Sequence, residues 1–197
     1  MSAFKPLLTG ICAAVVLASA VDAATFSETT LGDFSNIQTS PTSLGELSLG
    51  ENFIDGLVDF TFGGDADIVT FSLAPGQQVT SIELLGFGGS SSSRHFIGLA
   101  QDTIAPATSA DYITARLVPD SFTDPIDLLA PAGSGQQELG TQGSINPSDP
   151  LNFTLFFNET VAGTYAYSAR ITTAVPEPSS LAVLVPAAAF GFYRRRR

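Results

Sequence analysis

Through the middle of the chain apolar residues recur at every second position, the period that puts alternate side chains on one face of an extended strand. Val58, Phe60 and Phe62 share such a face, as do Val69, Phe71 and Leu73, then Leu151, Phe153, Leu155 and Phe157, and finally Tyr165, Tyr167, Ala169 and Ile171. Turn-forming residues separate these runs: Gly63-Gly64-Asp65, Ala74-Pro75-Gly76, Gly86 to Ser93, Pro131 to Gly135, Asn146-Pro147 and Ala162-Gly163. No stretch of ten residues between the two ends keeps a clean helical period. Short strands punctuated by Gly and Pro predict an all-β domain, an antiparallel two-sheet β-sandwich of jelly-roll type with about eight strands. The runs Leu151 to Phe157 and Gly163 to Thr173, joined through Asn158 to Ala162, predict a closing hairpin.

The two ends break this pattern. Lys5 precedes a nearly uninterrupted apolar run from Leu7 to Ala20, followed by Val21-Asp22-Ala23, the small-x-small arrangement a signal peptidase cuts. A core helix would carry a polar face, whereas this run offers only Thr9 and Ser19. Residues 1–23 therefore read as a signal peptide cleaved after Ala23, with cleavage after Ala20 as the alternative. The sole cysteine, Cys12, lies inside it. The far end runs Val175-Pro176-Glu177-Pro178-Ser179-Ser180, then apolar from Leu181 to Tyr193, then Arg194, Arg195, Arg196 and Arg197. As a helix, residues 179–193 would span roughly 22 Å, short of the hydrocarbon core of about 30 Å. Snorkelling arginines or local thinning would close the gap. Consecutive arginines favour the cytoplasmic side, which predicts an outward-facing domain.

These last residues resemble the PEP-CTERM tail of Gram-negative exported proteins, whose Pro-Glu-Pro motif is read by a membrane-embedded exosortase in organisms that make exopolysaccharide. The resemblance implies that Pro176, Glu177 and Pro178 are the sorting motif, Leu181 to Tyr193 a transient transmembrane anchor in the inner membrane, and Arg194 to Arg197 the membrane stop. Two prolines hold the motif extended and deny it helical hydrogen bonds, and Pro186 weakens the anchor helix. Residues 24–174 are left as the sandwich domain and 175–197 as the tail. Within the domain, the stretch from Asp65 to Thr80 and Ala162-Gly163-Thr164-Tyr165 resemble pre-peptidase C-terminal-type β-domains, which also implies a β-sandwich.

Charge then narrows the chemistry. Of 8 basic residues only Arg94, Arg116 and Arg170 lie between the targeting segments, against seventeen of the 19 acidic residues. A domain of net charge −14 repels nucleic acid. With one histidine and no cysteine after the leader, neither a three-histidine nor a thiolate zinc site can be built. His95 follows a Ser/Gly-rich stretch and reads as a solvated histidine at a loop edge, with no nucleophile elbow to complete a triad.

Calcium asks only for oxygen ligands. Asp59, Asp65 and Asp67 cluster about a Gly-Gly turn, and Asp120, Asp124 and Asp127 about Pro125, although neither group has EF-hand spacing and each also reads as a solvated acidic turn. With no tryptophan and 4 tyrosines the chain is poorly supplied with sugar-stacking platforms. The expectation is a non-enzymatic exported cell-surface or matrix protein with no cofactor. Its partners would be signal peptidase, an exosortase-like enzyme and, through the matrix, exopolysaccharide. A glycan- or calcium-binding adhesion module is the alternative, and a small secreted hydrolase a third reading.

Overall fold

The computed structural model describes residues 23–61, 64–88, 94–120, 122–140, 143–146, 151–159 and 161–176. The described elements are, in chain order, β1 (Ala24–Ser27), α1 (Glu28–Leu31), β2 (Thr42–Glu46), β3 (Gly50–Asp59), β4 (Ala66–Ser72), β5 (Gln78–Gly88), β6 (Arg94–Ala100), a 3-10 turn (Ser109–Asp111), β7 (Thr114–Pro119), β8 (Ile126–Asp127), β9 (Gln137–Glu138), β10 (Asn152–Asn158) and β11 (Thr164–Ala174). They form two packed sheets, one of five strands in the order β1-β3-β11-β5-β8 and one of six in the order β2-β4-β10-β6-β7-β9. The predicted all-β sandwich is therefore what the chain builds. Both sheets are mixed, because β1 pairs with β3 and β2 with β4 in parallel.

The cause lies in the path of the chain. Strands β1 to β6 alternate between the two sheets. A strand whose successor crosses to the other sheet meets its same-sheet neighbour only after a full return, and that return supplies the crossover a parallel pair requires. The same crossing overturns the closing hairpin. β10 sits between β4 and β6 in one sheet, and β11 between β3 and β5 in the other. A short loop between two alternating strands reads alike in sequence whether it turns within a sheet or steps across the sandwich.

The core is the interdigitated inner faces. Val69 and Phe71 of β4 and Phe153, Leu155 and Phe157 of β10 are buried, and they meet Tyr165, Tyr167, Ala169 and Ile171 of β11. A smaller cluster lies on the outer face of the six-stranded sheet, where Tyr112, Ala100 and Ala115 pack with Phe96, Leu139 and Phe156. Gly98 permits it, because a Cβ there would stand 2.7 Å from the Tyr112 ring.

Arg116, wholly buried on β7, organises the irregular region beyond it. Its guanidinium donates to the carbonyls of Asp127 (3.0 Å), Leu128 (3.1 Å) and Ala130, and pairs with Glu138 at 3.2 Å. A fixed fork of five donors suits this gathering of carbonyls; a point charge would not. Among the described residues no helix is long and apolar enough to cross a membrane.

Candidate functional site

Two clusters of ionisable groups lie inside the end of the sandwich that carries the β3–β4 and β10–β11 connections. The first surrounds His95. This residue is the second of β6, and period-2 alternation puts it on the inward face with Ile97 and Leu99, so that it is wholly buried. The expected solvated loop histidine is thus a core residue. The strand begins before it, at Arg94, and the inward face of that strand belongs to the interior.

Nδ1 of His95 lies 2.5 Å from Oε1 of Glu159, itself buried just beyond β10, and Nε2 lies 2.7 Å from Oδ1 of Asp120, just beyond β7. The imidazole stacks on Phe87 at 4.1 Å and meets the edge of Tyr165 at 5.3 Å. With an acceptor at each nitrogen, both nitrogens can donate only when the ring carries both protons. A catalytic base needs one nitrogen turned toward a nucleophile. Here carboxylates occupy both sides, and what the arrangement does is hold three chain segments together.

The second cluster is acidic. Asp67 shares the inward parity of Val69 and Phe71 on β4 and is wholly buried. Its carboxylate comes within 4.8 Å of those of Glu28, in α1, and Asp33, exposed just beyond it. Glu28 is fixed from both sides, since its oxygens accept the backbone N–H groups of Phe34 (3.0 Å) and Leu57 (2.7 Å). Among the described residues neither oxygen of Asp67 has a partner in good hydrogen-bond geometry, and neither has the buried Tyr167 hydroxyl. Burial, reinforced by the negative charge of Glu28, pushes the Asp67 carboxyl up to about 8. The Tyr167 hydroxyl, which faces Asp67, offsets this only in part, because desolvation is the larger effect. Burial and the Asp67 charge push Tyr167 up as well. Tyr167 is held in place by stacking on Phe157 at 4.1 Å and by Gly56, whose missing side chain leaves the room its hydroxyl fills.

The acidic residues singled out in sequence are thus divided. Asp59 and Asp65 cap their own turn: Asp59 accepts the N–H of Thr61 at 2.9 Å and Asp65 that of Asp59 at 3.0 Å. Exposed Asp59 is held below its ordinary value by the Thr61 bonds. Only Asp67 joins a metal-sized group, and its companions Glu28 and Asp33 come from a segment the sequence reading left unassigned. Asp120 turns to His95, Asp124 is exposed, and Asp127 accepts the N–H of Leu129 at 2.9 Å. Ala23 is exposed immediately before β1, and Pro176 is exposed just past β11. Glu177, Pro178 and Arg194 to Arg197 lie outside the described residues, as does the apolar run before the arginines. In comparisons with known proteins, no protein-family model and no curated protein matches the chain.

Proposed function

We propose that this chain is an exported, non-enzymatic cell-surface or matrix protein, sorted through its tail by an exosortase-like membrane enzyme and displayed among exopolysaccharide. The observation that carries the reading is the ordered series Pro176-Glu177-Pro178, apolar Leu181 to Tyr193 and Arg194 to Arg197, paired with a leader ending at Ala23. The described strands, from Ala24 in β1 to Ala174 in β11, lie within the interval that the two proposed processing points would leave. The non-enzymatic part is supported by His95, the sole histidine, whose two ring nitrogens both face carboxylates.

The test is mass spectrometry of the termini of the protein recovered from its native cells, with and without the host's exosortase. The expected product starts near Ala24 and ends near the Pro-Glu-Pro segment, and the uncut tail accumulates when the enzyme is absent. Arg197 intact in wild-type cells would overturn the sorting reading.

A further inference from the structure

The acidic cluster sets a buried carboxyl beside two others, and no basic side chain joins them among the described residues. A buried carboxylate is normally hydrogen-bonded, paired with a cation or bound to a metal. Asp67 has no hydrogen bond to either oxygen and stands beside Glu28 and Asp33. The domain has little basic charge to spare. Arg116 is enclosed by carbonyls and Glu138, Arg170 pairs with Glu51 and Glu83, and Arg94 donates to Gln137 at 2.8 Å. Beside them stands a group that is not an acid: the hydroxyl of nearly fully buried Tyr167 faces Asp67, and among the described residues it meets no partner in good hydrogen-bond geometry.

We propose that Glu28, Asp33 and Asp67 bind a calcium ion that ties the N-terminal segment to the sandwich. The donor set is all oxygen, which suits a hard divalent cation and excludes the nitrogen and sulfur ligands that zinc prefers. Carboxylate oxygens within 4.8 Å of one another fit around an ion whose bonds are about 2.3–2.6 Å long. Three carboxylates supply up to six ligand atoms, and Tyr167 or water completes the shell. Glu28 keeps lone pairs for the ion, because each oxygen spends only one on its backbone donor. The exposed side chain of Asp33 leaves the ion a way in from solvent. Mg²⁺, which demands near-ideal octahedral geometry and gives up water reluctantly, fits this half-buried set less well. The site draws on β4, α1 and the turn after it, and Glu28 also holds Leu57 of β3, so the ion would brace both sheets. The proposal is independent of how the tail is processed.

The test uses the full chain purified in mild detergent, stripped with chelator, and titrated with CaCl2 or MgCl2 while binding heat and melting temperature are followed. Calcium binds saturably at one site and, at a hundredfold excess over its dissociation constant, raises the melting temperature by about 5–10 °C. Magnesium binds at least about tenfold more weakly. Asp33→Asn alters an exposed residue and leaves the fold intact by circular dichroism, yet weakens calcium binding by about tenfold or more. Asp67→Asn abolishes the calcium response, because it removes the one buried carboxylate ligand of the site. A folded wild type with no saturable binding at several millimolar calcium, the upper end for extracellular sites, overturns the proposal. So does a calcium response that both variants retain in full.

Discussion

The two ends of the sandwich solve the same problem, polar groups inside a β-domain, in opposite ways. At the end where Thr173 pairs with Gly50, the groups are neutral and matched. Buried Gln77 accepts the N–H of Ala74 at 2.9 Å and donates to the carbonyls of Leu47 and Ser48 and to the Thr173 hydroxyl at 2.7 Å. Buried Asn52 accepts from Ser48 and donates to carbonyls on both sides. At the end where Thr164 pairs with Asp59, the groups are charged. His95 is matched by Glu159 and Asp120, while Asp67 meets no hydrogen-bond partner among the described residues. Neutral networks close on themselves, because every donor finds an acceptor of similar strength. A charged cluster closes only when the signs balance, and where they do not the remainder points to a ligand.

The contrast can be broken from either side. The largest effect belongs to Glu159→Ala, which leaves Nδ1 of His95 without its buried partner. Urea unfolding should show a loss of about 3–5 kcal/mol, the range for breaking a buried pair by removing one member. Gln77→Ala, at the neutral end, takes their side-chain partner from the Ala74 N–H and the Leu47 carbonyl, while the Ser48 carbonyl keeps Asn52 and Thr173, and should cost about 1–3 kcal/mol by the same measurement. If the two substitutions cost the same, charge is not what separates the ends. Smallest of the three, Arg170→Ala removes ion pairs to Glu51 and Glu83 from the outer face of the five-stranded sheet, with all three side chains partly in water. It should cost less than about 1 kcal/mol, and less still in high salt, which marks exposed pairing off from the buried cluster.

Much of this was legible in alternation alone. The runs around Phe71, Phe153 and Tyr167 turn out to be strands with their apolar faces inward, because one buried face imposes a strict period of two. The ionisable residues on those same faces were harder to see. Stepping back two residues from Val69 gives Asp67, and two back from Ile97 gives His95, so the period itself predicted that both face inward. Local composition argued otherwise: Asp67 follows a Gly/Asp turn and His95 a Ser/Gly run, both typical of solvent. What no local pattern could supply was the partners. Glu159 is 64 positions from His95, and Glu28 and Asp33 come from a segment brought to Asp67 by the crossing of the sandwich. The parallel pairings and the lost hairpin escaped for the same reason, since sheet membership is a long-range property.

The place of β11 has a consequence in time as well as in space. It is the last strand of the domain and the middle strand of its sheet, joining β1-β3 on one side to β5-β8 on the other. A chain delivered from its N-terminus cannot join the two halves until residue 174 is free, because among the described residues they share no other ladder. Closure of the domain is thus a terminal event, dominated by contacts between distant parts of the chain and correspondingly slow. The Pro-Glu-Pro segment follows within four residues of β11. The last piece needed to fold the domain and the first piece of the tail therefore arrive together, so any process acting on the tail meets the domain just as it becomes able to fold.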